Sequence, residues 1–312
     1  MSCLHVRGLT VDFPTPTGLL RAVDGVDLDH RAGEVLSLIG ETGCGKSVVA
    51  SAVMGLLPPN AIVGGRVEFL GRDLLALSDR QMAGVRGREI GLILQNPALA
   101  LNPVRRVGAQ IGEPLEIHRG MKRRETRGPV AQWLRRLGFS DVERHLDAFP
   151  FQLSGGMGQR ALIAAAMILS PRLLIADEPT KGLDEALRGT VRAELERIRS
   201  VAGSSLLLIT HDLGLARGIS DRVVVMYGGQ VMETGPAEDL FRAPLHPYAA
   251  ALMASLPQNG FRPIPGPPLE MTDPPDGCRF HPRCPEAGEE CRRGRVDPGA
   301  SGERTVRCLR RF

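Results

Sequence analysis

Aromatic side chains are scarce in this sequence: one Trp, two Tyr and nine Phe among 312 residues. Any core must therefore be mostly aliphatic. The balance of 43% hydrophobic and 24% charged residues is that of an ordinary globular chain. No apolar run approaches the roughly 18 residues needed to cross a bilayer. The first residues, Met1 to His5, show no positive segment followed by an apolar stretch, so no secretory signal is read there. Neither sign of charge dominates, since 39 basic and 35 acidic side chains leave a net charge of +4. That balance gives no case for nucleic acid, which calls for a concentrated basic stripe. The densest basic run, Lys122-Arg123-Arg124 with Arg127, reads as a solvated helix face. The expectation is a cytosolic chain with reduced cysteines, whose membrane role, if any, comes through a partner.

What is present is an alternation of buried strands and helices. Strands are predicted at Val6 to Phe13, Val23 to Leu28, Glu34 to Ile39, Leu173 to Ala176, Leu206 to Ile209 and Arg222 to Met226. Helices are predicted from Lys46 to Met54 and Arg160 to Leu169, with a helical stretch from Gly108 to about Leu146. Apolar strands separated by helices imply an α/β fold with a mostly parallel sheet core, a β-rich N-terminal part and a helical subdomain. Seven prolines crowd residues 257–275, which excludes helix and interior strand there. The chain is therefore divided into a main domain, 1–235, with the helical subdomain at about 100–165, and a loop-rich extension, 236–312.

Gly40-Glu41-Thr42-Gly43-Cys44-Gly45-Lys46-Ser47 stands between a buried strand and a helix and fits the phosphate-loop pattern G-x-x-x-x-G-K-[ST]. Glycines let backbone N–H groups turn toward phosphate oxygens, and the helix N-terminus adds positive potential. Lys46 is placed to reach the β- and γ-phosphates, and the Ser47 hydroxyl to bind Mg²⁺. Cys44 reads as a loop filler. At the end of a second buried strand, Asp177 is placed to hold Mg²⁺ and Glu178 to polarise the attacking water. Taken alone, these two acids would serve equally well as a helix cap ahead of Pro179.

Leu153-Ser154-Gly155-Gly156-Met157-Gly158-Gln159 is the most discriminating element. Standing before a helix, it resembles the signature of the ABC ATPase family. That resemblance implies an ABC-type P-loop ATPase in which two domains pack head to tail, each signature closing over the γ-phosphate held by the other. Ser154 as a helix cap is compatible with that role. The same resemblance implies that Gln95 touches Mg²⁺ and the attacking water, and that His211 contacts the γ-phosphate. It also makes Leu183-Asp184 the loop coupling the two sites. Lys181-Gly182 departs there from the commoner small-residue pattern. Phe13 is a candidate to stack on adenine, or else a core residue of the first strand.

Gly91 to Pro97 with Leu101-Asn102-Pro103, and Leu245-His246-Pro247-Tyr248 with Ser255-Leu256-Pro257, are similar to the importers of peptides and nickel. The tail from Gly277 to Pro285 is similar to that branch's C-terminal extension. The resemblance implies an ATP-binding and hydrolysing subunit on the cytoplasmic face of the membrane, peripheral to it. Its partners would be a second, identical or homologous ATPase subunit, two transmembrane permease subunits and, through them, an extracytoplasmic binding protein. The cargo would be peptide, nickel or a metal–chelator complex. Cys278, Cys284, Cys291 and Cys308 form a set without the C-x₂-C spacing of zinc ribbons. In that branch such a tail carries a [4Fe–4S] cluster; four thiolates suit Zn²⁺ as well, and inert thiols are the third reading. Replacing any one of these four cysteines is expected to loosen the tail while leaving nucleotide binding by the main domain intact. The alternative from another class, a soluble ABC ATPase of translation or DNA repair, is opposed by the single phosphate loop and by only 106 residues between Ser47 and Ser154.

Overall fold

The computed structural model describes residues 2–16, 18–94, 97–183, 185–202 and 204–311. The chain divides into two units, one of Met1–Ala76 with Ile209–Phe312, the other of Leu77–Leu208.

The first unit opens with β1 (Ser2–Thr15) and β2 (Gly18–Arg31), an antiparallel pair. Leu4, Val6, Leu9 and Val11 supply its buried face. The alternation slips at Gly8, whose φ of +54° lies inside the register shift between Val6 and Leu9, as a bulge requires. β3 (Val35–Ile39) is buried throughout, and α1 (Lys46–Val53) follows it. β4 (Ile62–Phe69) and β5 (Arg72–Asp73) complete a four-stranded sheet in the order β2-β1-β4-β5. The sequence pattern does not single out β4 because Gly64-Gly65 and Arg66 interrupt its apolar alternation.

The second unit begins with α2 (Asp79–Val85), whose capping box pairs Ser78 with Gln81. There follow β6 (Ile90–Ile93), α3 (Pro97–Ala100), α4 (Val107–Arg119), α5 (Arg123–Arg136), α6 (Val142–Asp147) and α7 (Gly155–Met167). Thr126, Val130, Ala131 and Leu134 form the buried stripe of α5. Its arginines lie outside, Arg127 pairing with Glu143 and Asp147, as a solvated face does. Gly112 lets α4 approach: a Cβ there would stand 2.7 Å from Thr126 Oγ1. β7 (Leu173–Asp177), α8 (Glu185–Ala202) and β8 (Ser205–Thr210) end this stretch. β6 and β7 pair in parallel, in the order β8-β7-β6.

The chain then completes the first unit with α9 (Leu213–Ile219), β9 (Arg222–Tyr227), β10 (Gln230–Pro236), α10 (Ala237–Arg242) and α11 (Pro247–Ala254). β11 (Gly299–Ser301) and β12 (Arg304–Val306) close it. β9 runs parallel to β3, and the strand order is β11-β12-β10-β9-β3. Residues 257–275 hold one short 3-10 turn, Pro257–Asn259, and no other regular element. The extension builds on the core of the first unit. Phe280 shares a buried cluster with Ile39, Val225, Tyr227 and Tyr248, and β12 pairs with β10 through Glu233–Val306 and Thr234–Thr305.

Candidate nucleotide site and the four-cysteine cavity

Within the first unit, the loop after β3 is fixed by close backbone approaches. Gly40 has φ +151°, and a Cβ on it would stand 2.1 Å from the Met226 carbonyl oxygen. Gly45, at φ +100°, would meet the Ala22 carbonyl at 2.3 Å. Only glycine serves at either place. Gly45 is also the N-cap of α1; no side chain caps that end and no acid stands in its first turn. Lys46 folds back over the loop, its Nζ donating to the carbonyls of Gly40 (2.8 Å) and Glu41 (2.9 Å), and it is only 6% exposed. Thr42, Gly43 and Ser47 face solvent, whereas Cys44 is buried, which pushes its thiol up from its ordinary range. His211 is exposed after β8, just before Asp212, which caps α9 by accepting the Leu215 N–H. Phe13 is half-buried and pairs with Leu20 near the β1–β2 turn.

Within the second unit, Asp177 ends β7 and Glu178 follows it, both nearly buried. Glu178 has φ +49°, a left-handed backbone that a non-glycine residue rarely adopts. The turn is held by the Lys181 N–H donating to the Glu178 carbonyl and the Leu183 N–H to that of Thr180. Strain of this kind costs on the order of 1 kcal/mol and clusters at functional sites. Gly182, with φ +75°, relaxes the next turn. Ser154 caps α7, its Oγ accepting the Met157 N–H, with Ser154 and Gly155 exposed and Leu153 and Met157 half-buried. Gly156 and Gly158 are buried, and a Cβ on Gly158 would meet Pro97 at 3.1 Å. Gln159 is buried, and among the described residues its Nε2 has no hydrogen-bond partner. Gln95 and Asp184 lie outside the described residues.

The extension contains the second concentration of chemistry. Cys278, Cys284, Cys291 and Cys308 line one small cavity of about 20 Å³ together with His246, and none is in a disulfide. Burial pushes the Cys278 thiol up to about 11, with the Phe280 N–H pulling the other way; Cys284 and Cys308 are likewise raised by burial. Glu286 and Arg310, each two residues on, offer N–H groups to Cys284 and Cys308 as Phe280 does to Cys278. Such N–H groups favour the thiolate form. His246, 1% exposed, accepts the Tyr248 N–H at Nδ1. Burial holds this imidazole down to about 4, so it is neutral at pH 7. Among the described residues, no three His, Cys, Asp or Glu side chains are placed to hold a metal ion.

Sequence reasoning missed how the extension meets the phosphate loop. The Tyr248 hydroxyl accepts the Glu41 N–H at 2.9 Å, and Arg283 grips the Glu41 carboxylate with two bonds, of 2.8 and 3.1 Å. Arg283 also donates to the Pro265 carbonyl and the Tyr227 hydroxyl. Burial disfavours its charge, but Glu41 and Tyr227 outweigh that and raise it further. Arg279 holds Asp24 at 2.7 Å and the carbonyl of Gly228, whose neighbour Gly229 donates to Cys44 of the loop. The tail is thus fastened to the loop. The signal available in the sequence was Glu41 itself, an acid inside an anion-binding loop that calls for a cation.

Comparison with known proteins agrees with this geometry. Residues 23–181 match the ABC transporter family. Residues 232–291 match the C-terminal region of the oligopeptide/dipeptide transporters. The dipeptide transport ATP-binding protein of Bacillus subtilis is 42% identical over 98% of this chain and 93% of its own. The chain belongs to the ABC transporter ATP-binding proteins of the oligopeptide/dipeptide group. The oligopeptide transport ATP-binding protein of Salmonella typhimurium is 40% identical over 92% of this chain and 88% of its own. A dimeric ATP-binding cassette solved after hydrolysis, with ADP and phosphate bound, superposes with a TM-score of 0.68 at 26% identity. It covers 75% of this chain and 98% of that one. This subunit therefore has the ABC-type P-loop ATPase fold, and the soluble translation or repair alternative is not favoured. No helix among the described residues is long and apolar enough to cross a membrane.

Proposed function

We propose that this chain hydrolyses ATP to drive a peptide importer, as a peripheral subunit on the cytoplasmic face of the membrane. Residues 1–235 form the ATPase domain, with a helical subdomain at about 100–165, and 236–312 the extension. The backbone from Gly40 to Ser47 surrounds the phosphates, Lys46 supplies charge to the β- and γ-phosphates, and Phe13 stacks on adenine. Ser47, Asp177 and Gln95 would hold Mg²⁺; these oxygen donors are of the hard kind that ion prefers, and it would neutralise charge on the phosphates. Glu178 polarises the attacking water and His211 contacts the γ-phosphate. Leu153 to Gln159 closes over the nucleotide of a second ATP-binding subunit, and Leu183-Asp184 couples the two sites. Two permease subunits and an extracytoplasmic binding protein complete the assembly. The relatives above are named for dipeptides and oligopeptides, which favours peptide over nickel as cargo.

The observation that supports this reading most directly is Lys46, a buried ammonium held on loop carbonyls beside an uncapped helix N-terminus. Such a site is preorganised for an anion. The test is purification from membranes. Recovery with two membrane-spanning subunits, and ATPase activity stimulated by a peptide-loaded binding protein, is expected; recovery with ribosomes or DNA would overturn the reading.

For the four-cysteine cavity the reading is a [4Fe–4S] cluster in preference to Zn²⁺. The donor set fits: four thiols, none in a disulfide, border one space with the buried His246 on its wall. The absence of the C-x₂-C spacing of zinc ribbons favours the cluster over Zn²⁺. When bound, it would supply a cross-link spanning residues 278–308.

A further inference from the structure

Glu41 brings a negative charge into its loop. A carboxylate among the N–H groups that receive triphosphate would repel the ligand the loop exists to bind. The structure supplies a counter-charge from 242 residues away: Arg283, its side chain 6% exposed, pairs with both Glu41 oxygens at 2.8 and 3.1 Å. The guanidinium is itself fixed by the Pro265 carbonyl and the Tyr227 hydroxyl, and lies over the Tyr227 ring. The Tyr248 hydroxyl takes the Glu41 N–H at 2.9 Å and so sets where that residue points.

We propose that Arg283 of the C-terminal extension is a positioning residue for nucleotide binding, cancelling the Glu41 charge and holding it away from the phosphates. The extension thereby sets ATP affinity. Its run Cys278-Arg279-Phe280-His281-Pro282-Arg283-Cys284 does two jobs: Cys278 and Cys284 line the thiol cavity, Arg279 and Arg283 engage Asp24 and Glu41, and Phe280 borders the cavity while packing into the core. Whatever fixes the thiols also fixes the two arginines. This inference rests on residues 40–47 being the phosphate loop, which Lys46→Ala tests separately.

The experiment is an ATP titration of the full chain by calorimetry, with Arg283→Gln measured in two backgrounds, native Glu41 and Glu41→Gln. In the native background the dissociation constant should rise about tenfold, because an uncompensated carboxylate in the loop repels the anionic nucleotide. In the Glu41→Gln background the same substitution should change it by less than about twofold, because no charge remains to be cancelled. Arg283→Lys, which keeps the charge but not the fork, should fall between, and serves if Arg283→Gln does not fold. A scaffolding role alone would give the same penalty in both backgrounds, and that result overturns the proposal. So does an unchanged ATP affinity for Arg283→Gln where Lys46→Ala weakens binding. If Lys46→Ala binds ATP normally, it is the reading of the loop that fails.

Discussion

Glu233 of β10 has no exposed surface and accepts hydrogen bonds from the backbone N–H groups of Leu245 (3.0 Å) and His246 (2.7 Å). Arg304 of β12 donates to the same carboxylate. One buried acid thus ties the strand where the ATPase domain was read to end to the residues just before α11 and to the last strand of the extension. It is one of three anchors, with Glu41–Arg283 and Asp24–Arg279, that make the tail part of the nucleotide-binding unit.

Glu233→Ala should therefore destabilise the chain by about 3 kcal/mol, since it leaves a nearly buried guanidinium and two N–H groups without their acceptor. Denaturant unfolding of the purified chain measures this. A loss below about 1 kcal/mol would show that the carboxylate is replaced by solvent and does not anchor the extension.

Glu178→Gln should lower hydrolysis by about 10²- to 10⁴-fold while preserving ATP binding, as removal of a general base does. The left-handed backbone of Glu178 should persist, because the turn is held by main-chain bonds. Single-turnover hydrolysis in the assembled transporter, with both ATP sites substituted, is the measurement. Near-native turnover would remove Glu178 from the mechanism.

Lys46→Ala and Ser154→Arg should separate binding from closure. The first removes a charged donor and should weaken ATP binding by roughly 10- to 100-fold. The second adds bulk and charge at an exposed cap and should leave binding at this chain's own loop unchanged while preventing ATP-dependent dimerisation. Binding assays paired with light scattering decide it. Equal loss of binding in both variants contradicts a signature acting on a partner's nucleotide.

Anaerobically purified protein should contain iron and sulfide, with the brown absorption of a cluster, or else stoichiometric zinc. Replacing any one of Cys278, Cys284, Cys291 and Cys308 by Ser should abolish that content and increase proteolytic cleavage within residues 257–311. Metal analysis finding none of these elements leaves the thiols inert.

The strands Val35–Ile39, Leu173–Asp177, Ser205–Thr210 and Arg222–Tyr227 were legible in the sequence because all but one of their residues are buried, and such strands read as unbroken apolar runs. The phosphate loop and the Ser154 cap were legible for a related reason. Both are local devices in which glycines and one polar side chain act within a few residues of each other. The sequence therefore determined where the glycine loop and the capped helix form. It could not determine what the extension touches. Arg283 meets Glu41, Arg279 meets Asp24 and Glu233 meets Arg304 across separations of 242, 255 and 71 residues. No periodicity connects such pairs; they form because Phe280, having no core of its own to enter, is buried against Tyr227 and Tyr248 and carries its charged neighbours with it. That choice belonged to the tertiary structure, where burial of one aromatic ring decided which charges met.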